Sequence, residues 1–381
     1  MALRHWVQLS LTEGIGPVLV RRLIEAAGGA EAACAADLDL LDNVEGIGLA
    51  RSHKIAQALR LSAAEAEKEI ARAAQSSITI ISQDDDSYPP LLRSIPDPPP
   101  VLYVRGSIEP RDLNAVAIVG SRRCSLYGRE QSERFAALLA GGGMSIISGG
   151  ARGVDSAAHR GALSHPAGRT IAVLGCGTDI VYPPENAALF DQIAARGAIV
   201  SEFPLGTPPN RENFPRRNRV VSGMSRGVIV IEADEKSGAL ITARQACDDH
   251  GRPVFALPGR VDNPLSAGPH LLIRDGAILV TKLEDVLDGL GPVPHDVAEP
   301  GLFPTEERPS QPPEVARAVP LEAATDRQRA ILDHLGADPA AVDLLVEQTG
   351  LPAQVVLQEL TFLTLKGQVR RIDGQTYAKR G

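Results

Sequence analysis

From about residue 114 to residue 290, short apolar runs alternate with stretches of helical periodicity. This alternation is typical of an α/β fold, and near-continuous apolar strands fit a parallel sheet covered by helices on both faces. In such a doubly wound sheet, ligands bind beyond the carboxyl ends of the strands. We predict strands at Val116–Val119, Ser145–Ile147, Thr170–Leu174, Ala198–Val200, Val228–Ile231, Pro253–Leu257 and Ala277–Val280. We predict helices near 126–140, 154–163, 185–195, 239–249 and 283–290, with a short one after Pro215.

Two further apolar runs precede this region. Ile78–Ile81 and Val101–Val104 have the length and composition of short strands, and an Asp- and Pro-rich connection separates them. Proline keeps such a connection irregular. We therefore expect an extra layer added to the sheet, so that residues 76–290 form one domain.

Residues 1–75 are helical and Ala-rich in pattern, and a short signal recurs in them. Glu13-Gly-Ile-Gly16 and Glu45-Gly-Ile-Gly48 each precede a helical stretch, about 32 residues apart. A Gly-Ile-Gly turn that opens a helix is typical of a helix-hairpin-helix, in which backbone N–H groups approach a phosphate. This region carries eight Lys and Arg residues and ten acids. This charge balance fits a structural or protein-contacting role at least as well as it fits DNA binding. We expect a helical domain of the helix-hairpin-helix or SAM-like kind.

The C-terminal part of the chain begins with a proline-rich stretch at 291–322, which we interpret as a linker. Beyond it, residues 323–381 predict helices near 326–335, 339–348 and 352–366. Val369–Ile372 and Gln375–Ala378 then predict a β-hairpin around Asp373-Gly374. Three helices and a hairpin make a winged helix. Its seven basic residues balance seven acids, which favours protein contact over groove reading.

Composition narrows the class of protein. The 381 residues carry a formal net charge of −8, 44% hydrophobic and 23% charged residues, as in ordinary globular proteins. No apolar run approaches the length of a membrane span, and the first residues lack the apolar region of a signal peptide, so we expect a cytoplasmic protein without a membrane partner. The four cysteines are too far apart to indicate a disulfide framework or a zinc site.

Positive charge is concentrated at one place in this acidic chain. Between Asn210 and Arg226 five arginines stand against Glu212 alone, and Asn213-Phe-Pro-Arg-Arg-Asn-Arg219 holds three of them beside an aromatic ring. This pattern predicts a grip for an anionic polymer or a phosphate. The alternative is that the arginines form salt bridges with neighbouring helices.

The residues of this cluster have roles that geometry suggests. Pro215 suits the first position of a helix, so that Arg216 and Arg219 would share a face. Phe214 could stack on a base or staple the helix entry. Asn218 could bond a phosphate or a base, or cap a loop.

The turns after the predicted strands carry glycine and further arginines. Gly120-Ser-Arg-Arg123 follows the first strand of the parallel region, and Ser148-Gly-Gly-Ala-Arg-Gly153 follows the second. Glycines allow backbone N–H groups to point at an anion, and the following helix dipoles favour negative charge. Together with the arginine cluster, these turns predict a phosphate-rich ligand at this rim.

Enzymatic motifs were sought in the same region. The chain lacks a GxxxxGK[ST] motif, and no GxGxxG follows the first strand of the parallel region. Asp155 and His159 are one helical turn apart and could form an acid–base couple, although such a pair more often braces a helix. Glu232 and Asp234 end a strand at the ligand rim and are the best general-base candidates, or they hold the arginines in place.

Several long motifs in order resemble the DNA-processing protein DprA (Smf) family over about residues 80–285. They are Gly120-Ser-Arg122, Ser148–Asp155 with His159, Val173–Gly177 with Tyr182-Pro183, Ser201-Glu-Phe-Pro204, Phe214–Arg219 and Ser237-Gly238. The resemblance implies an extended Rossmann domain that binds single-stranded DNA, forms a homodimer, and helps to load the recombinase RecA in natural transformation, with no turnover and no cofactor. It implies a DNA pocket formed by Gly120, Ser121, Arg122, Ser148, Gly149, Gly150, Arg152, Phe214, Arg216, Arg217, Asn218 and Arg219.

Two hypotheses from different classes follow. The first is a non-catalytic single-strand DNA binder that protects incoming DNA and acts as a recombination mediator. The second is a nucleotide-binding enzyme of the Rossmann type, such as a nucleoside-monophosphate phosphoribohydrolase, which needs a carboxylate near the ribose. Only Glu232 and Asp234 meet that requirement in the sequence.

Overall fold

A sheet of nine strands forms the centre of the larger part of the molecule in this computed structural model, which describes residues 2–292, 325–335, 340–365, 368–371 and 376–379. The strand order is β1-β2-β6-β5-β4-β3-β7-β8-β9. Strands β3 to β9 run parallel to one another, and β1 and β2 add an antiparallel edge beside β6. The strands are β1 Thr79–Ser82, β2 Val101–Gly106, β3 Ala115–Val119, β4 Ser145–Ser148, β5 Arg169–Val173, β6 Ala198–Ser201, β7 Val228–Val230, β8 Val254–Ala256 and β9 Ile278–Leu279.

Helices cover both faces of the sheet, which explains why β3, β4 and β5 are buried along their whole length. Helices α10 and α11 share one core with the strands, whereas α9 packs into a second core on the opposite side, next to α8. The helices are α1 Ala2–Leu11, α2 Pro17–Ala27, α3 Ala30–Cys34, α4 Leu38–Asn43, α5 Leu49–Gln75, α6 Pro90–Arg93, α7 Leu126–Gly141, α8 Val154–Ser164, α9 Ala187–Arg196, α10 Asn213–Gly223, α11 Gly238–Arg244, α12 Ala267–Arg274 and α13 Leu283–Leu290.

The doubly wound α/β prediction is confirmed, with three differences in detail. Helix α12 was not predicted, because Gly268 and Pro269 interrupt its apolar pattern; both lie in its first turn, where proline is tolerated. Helix α10 begins at Asn213, so Pro215 is its third residue and not its first. The stretch predicted as one helix at 239–249 is α11 followed by a π turn at Gln245–Asp249.

The N-terminal helices α1 to α5 have an apolar core of their own, and α1 and α5 share a second core with β1 and β2. The two Gly-Ile-Gly turns are present, with Gly14 and Gly46 at φ +89 and +93. Arg51 joins them, because its guanidinium donates to the carbonyls of Gly46 (3.0 Å) and Gly14 (2.8 Å). In these contacts the arginine faces the turns, which supports a structural role for the repeat.

The chain divides into two compact units, Met1–Pro294 and His295–Gly381. The second unit contains α14 Asp326–His334, β10 Ala340–Ala341, α15 Val342–Thr349, α16 Ala353–Leu365, β11 Val369–Arg371 and β12 Thr376–Lys379. Its strands form an antiparallel sheet in the order β10-β12-β11, over a core that includes Ile331, Leu345, Leu360 and Tyr377. The winged-helix prediction is confirmed. The predicted linker from residue 293 onwards and the turn at Asp373-Gly374 lie outside the described residues.

A search of the described residues finds no helix with both the length and the apolar character needed to cross a membrane.

Candidate nucleic-acid interface

A cleft of about 520 Å³ lies at the carboxyl ends of β3, β4 and β7, against α10 and α11. The chain continues from β3 to β4 on one side and from β7 to β8 on the other, so β3 and β7 flank the point at which the strand order reverses. Ligands of open α/β sheets bind in the crevice at such a point. The cleft is lined by Val119, Gly120, Ser121, Arg122, Arg123, Gly149, Ala151, Asp155, Phe214, Pro215, Arg217, Asn218, Val221, Asp234, Ser237, Gly238, Ala239, Ile241, Thr242 and Leu265.

The turn after β3 is held in place by residues of α8 and of the chain after β7. A Cβ on Gly120 would lie 2.7 Å from Val154 Cγ2 and 2.8 Å from the Glu232 carbonyl oxygen, so only glycine fits there. The N–H of Ser121 donates to that same carbonyl (2.6 Å), and the carbonyl of Ser121 accepts from the N–H of Val154 (3.2 Å). This turn therefore ties β3, β7 and the start of α8 together and leaves Arg122 exposed above them.

Arg122 lies over the ring of Phe214, with its guanidinium carbon 4.8 Å from the ring centroid. Phe214 is half-buried and rests against Gly175, where a Cβ would lie 3.0 Å from Phe214 Cδ1. Tyr182 packs beside it, with ring centroids 5.9 Å apart. Within the described residues, no acid lies within ion-pair distance of Arg122. Its charge is therefore available to a ligand, next to a flat aromatic surface.

Arg217 also reaches the cleft but belongs to its floor. Its side chain is buried, and the same Nη1 donates to the carbonyls of Gly149 (2.5 Å) and Val173. Gly149 separates it from Asp155, because a Cβ there would lie 2.4 Å from Arg217 Nη1 and 2.6 Å from Asp155 Oδ2. Burial lowers the pKa of Arg217 to about 10, although Asp155 opposes this shift. Burial raises the pKa of Asp155, again against the effect of Arg217.

Three other residues of the turn after β4, Ser148, Gly150 and Arg152, do not line the cleft. Ser148 Oγ donates to the carbonyl of Ile118 (2.6 Å) and is fully buried. Gly150 has φ +66, and its carbonyl accepts from Asn186 Nδ2 (2.9 Å). Arg152 is exposed and paired with Glu185. These residues hold the turn in shape beside the cleft.

Three of the five arginines between Asn210 and Arg226 form their contacts outside the cleft lining. Arg219 is buried between Glu202 Oε2 (2.5 Å) and Asp97 Oδ2 (3.2 Å). Arg216 is exposed, covers the ring of Phe203 at 5.2 Å and lies 4.0 Å from Glu202. Arg226 donates to Asn114 Oδ1 and to the carbonyls at the end of α13. The alternative of structural ion pairs thus describes Arg219, and Arg216 lies at the limit of ion-pair distance from the same Glu202. Arg217 is the arginine of this group that lines the cleft.

The twelve residues predicted for the pocket are accordingly divided. Asn218 lines the cleft, half-buried, with its Nδ2 at 3.4 Å from the Gly238 carbonyl. Arg123 and the Ser237–Gly238 turn also line the cleft but were not among the predicted residues, although both stand inside the motifs quoted above. The structure brings Gly120, Ser121, Arg122, Gly149, Phe214, Arg217 and Asn218 together, and leaves Ser148, Gly150, Arg152, Arg216 and Arg219 outside the lining.

The acid–base candidates have structural partners. Glu232 is buried and accepts from the N–H (2.7 Å) and the hydroxyl (2.6 Å) of Ser125, the residue that caps α7. His159 is fully buried, bonds Thr170 Oγ1 through Nδ1 (2.7 Å), and has its pKa lowered to about 3 by burial. Asp234 is exposed at the cleft, where one carboxylate oxygen accepts from the N–H of Lys236 (2.8 Å). No three metal-ligating side chains converge in the part of the chain that the structure describes.

The chain is similar to known proteins over most of its length. Residues 79–291 match the family model of DNA recombination-mediator protein A, and residues 312–375 match that of the DprA winged helix domain. Protein Smf of Synechocystis sp. is 36% identical over 99% of this chain and 98% of its own length. Protein Smf of Escherichia coli is 40% identical over 77% of this chain and 76% of its own length.

Two solved structures are similar to this one. The X-ray structure of DNA processing protein A from Streptococcus pneumoniae matches with a TM-score of 0.66 at 35% identity, covering 75% of this chain and 97% of that one. A structure of DNA processing protein A from Helicobacter pylori, which concerns its single-stranded DNA binding mode, matches with a TM-score of 0.50 at 33% identity. It covers 56% of this chain and 95% of that one.

Proposed function

The chain belongs to the DNA recombination-mediator protein A family, whose members are named Smf or DprA, and on this premise we propose that its cleft binds single-stranded DNA. The observation that carries the proposal is Arg122, which has no acid partner among the described residues and lies over the half-buried ring of Phe214. A cation and an aromatic face side by side suit a phosphate and its neighbouring base. The described binding of single-stranded DNA by the Helicobacter pylori relative supports the same ligand.

A single strand fits this geometry better than a duplex does. Phe214 is half-buried in the lining of a cleft of about 520 Å³, beside the Arg122 guanidinium, so a base must leave any stack to reach it. Bases of a single strand can be splayed out at little cost, whereas a duplex base must first be unpaired. Within the cleft, Arg122 and Arg123 would hold phosphates, Phe214 would stack a base, and Asn218 would bond either. Arg217 would act from the floor, by holding the turn after β4.

We assign this activity to a recombination mediator that protects incoming DNA and helps to load RecA in natural transformation, in the cytoplasm and without turnover. The family description supports mediation, and the names of relatives support DNA processing. In this assignment residues 76–290 carry the DNA cleft. Residues 1–75 would be one accessory domain directly before it, and residues 323–381 a second one joined through the 291–322 linker.

We also propose that two copies associate through the β9 edge of the sheet. This edge presents Ile278 and Leu279, which are 36% and 47% exposed, and no described strand pairs with its outer side. A groove of about 330 Å³, lined in part by Leu271 and Leu272, runs beside it. An open strand edge with apolar side chains favours pairing with a second chain.

The test is fluorescence anisotropy with labelled oligo-dT at several salt concentrations. We expect Arg122→Ala to weaken binding by roughly tenfold and to reduce the salt slope by about one phosphate contact. Arg160→Ala is the matched control, because Arg160 on α8 is similarly exposed but pairs with Glu133 of α7, outside the cleft lining. Unchanged affinity and salt slope in Arg122→Ala would overturn the proposed site.

The enzyme alternative has one feature in its favour, the exposed Asp234 at the cleft. Incubation with nucleoside monophosphates, followed by chromatography for free base, tests it directly. We expect no release by the unmodified protein. Release that disappears in Asp234→Asn would favour a phosphoribohydrolase over a DNA mediator.

A further inference from the structure

Tyr127, in the first turn of α7, is the most exposed aromatic side chain among the described residues. It is 44% exposed, and Leu126 beside it is 60% exposed. The other aromatic rings of the described chain are buried or half-buried. A large ring left in water next to a ligand cleft indicates a surface that a partner covers.

The ring is held in a defined position. Its hydroxyl donates to the carbonyl of Pro258, just after β8 (3.3 Å). The turn that carries it is anchored by Glu232, which accepts two hydrogen bonds from Ser125 and leaves no space for a Cβ on Gly128 (2.3 Å). Because the carbonyl of the same Glu232 holds Ser121, Tyr127 and the arginine turn are fixed to one residue. A pre-positioned ring loses little entropy when a ligand stacks on it.

The charge between the cleft and this ring is positive. Arg122 and Arg123 lie in the four residues before Ser125, and no described acid lies within ion-pair distance of either. Burial and the charge of Glu232 raise the pKa of the Tyr127 hydroxyl, and Arg134, two turns further along α7, opposes this shift. Of the acids nearby, Glu232 is buried and bound to Ser125, and Asp155 is buried in the cleft lining. Glu130 and the cleft residue Asp234 are exposed. Arg122 and Arg123 thus supply positive charge in the chain between the cleft lining and Tyr127.

We propose that Tyr127 is a second base-stacking platform, on which a strand lies after it leaves the cleft over Arg122 and Arg123. The proposal rests on the function proposed above, since it extends the same bound strand. It assigns the exposed turn to single-stranded DNA, because the turn continues the cationic rim of the cleft. A protein partner would need no such rim.

Strand length separates this platform from the cleft. Oligo-dT of about 4 nucleotides would occupy the cleft alone, whereas about 16 nucleotides would reach beyond it. We expect Tyr127→Ala to weaken binding of the longer strand at least roughly fivefold and to leave the shorter one unchanged. Tyr127→Phe should restore the longer strand, because stacking needs the ring and not the hydroxyl. Leu126→Ala is the matched control on the same turn and should bind both lengths normally.

Each other outcome has a definite meaning. If Tyr127→Ala binds both lengths like the unmodified protein, the platform is wrong while the cleft stands. If it weakens both lengths equally, the ring merely supports the arginine turn, and the proposal is also overturned. Equal losses in Tyr127→Ala and Leu126→Ala, together with altered self-association in sedimentation, would assign the turn to a protein contact. Failure of the proposed function itself would be recognised separately, by normal binding of both strands to Arg122→Ala.

Discussion

The arginines of this protein differ in role according to what surrounds each side chain. Arg122 is exposed and has no described acid partner. Arg217 is buried, and its guanidinium donates to two backbone carbonyls. These carbonyls hold Arg217 through Nη1, while its buried Nε has no described partner, so it shapes the site from within. An exposed cation such as Arg122 is open to ligands. Local charge density alone therefore overstates the number of arginines that face DNA.

Single buried groups also set the pH range in which the fold is stable. His159 donates from Nδ1 to Thr170 Oγ1, since that hydroxyl already donates to the carbonyl of Ile146, and its Nε2 has no described partner. Its pKa is lowered to about 3, below the value of about 6.5 expected in the unfolded chain. The unfolded chain therefore takes up the proton first as pH falls. The stability contributed by the neutral imidazole is full above about pH 6.5 and is lost progressively towards pH 3.

We predict that His159→Asn makes the protein less sensitive to acid. Its amide keeps a donor at the Nδ1 position but cannot be protonated in this range. Between about pH 7 and pH 4.5, the drop in the free energy of unfolding should be smaller than in the unmodified protein by about 2 kcal/mol. Urea denaturation at the two pH values measures it. Asp155, whose raised pKa has the opposite effect, is present in both proteins.

His250→Asn is the control for this measurement. The pKa of His250 is also lowered by burial, but the ring is only half-buried, so most of the acid sensitivity should persist. An equal drop in the unmodified protein and in His159→Asn would show that other groups dominate acid unfolding.

At the scale of elements, helix α10 has two kinds of side chain, some that line the cleft and some that stabilise the fold. Phe214 and Asn218 line the cleft, whereas Arg219 faces the segment around Asp97 and the turn after β6. Burial raises the pKa of Glu202, and the facing Arg219 and Arg216 oppose that shift. The helix is thus clamped by an ion pair on the side away from the ligand.

We predict that Arg219→Met destabilises the fold by about 3–5 kcal/mol, because it leaves the buried Glu202 carboxylate without its cation. Arg216→Ala, on the same helix but 58% exposed, should change stability by less than about 1 kcal/mol. Urea unfolding compares the two. The double variant Arg219→Met with Glu202→Met should recover much of the loss. If Arg219→Met is as stable as the unmodified protein, the clamp is not a stability element.

The contrast between these elements shows what the sequence could predict. The seven strands of the parallel region lie within one or two residues of their predicted positions, because apolar runs bounded by glycine and proline report burial locally. The turn at Gly120–Arg123 was likewise identified from its place after a strand. The inward orientation of Arg219 was not, since its partners Asp97 and Glu202 come from distant parts of the chain. The sequence also could not show that the Glu232 carboxylate accepts a hydrogen bond from Ser125, which gives it a structural role instead of that of a general base.

At the scale of the whole molecule, the two edges of the sheet differ. One edge is β1, which packs with α1 and α5 over a shared apolar core. The other is the two-residue strand β9, whose side chains remain exposed. An uncovered apolar edge exposes unpaired backbone groups and apolar side chains in a monomer, and a dimer can cover both. Two copies joined there would carry two DNA clefts on one assembly.

We predict that Leu279→Lys abolishes this association, because a charged side chain on an edge strand opposes pairing with a second chain. Sedimentation velocity should show a dimer for the unmodified protein and a monomer for the variant. Since linked clefts raise the effective concentration of the second site, the variant should also bind long oligo-dT more weakly while short oligo-dT binds equally well. Leu61→Lys, at a residue of α5 that is 66% exposed, controls for the charge change and should remain dimeric. A dimer that survives Leu279→Lys would move the interface to another face of the protein, and the loss of affinity for long strands should then be absent as well.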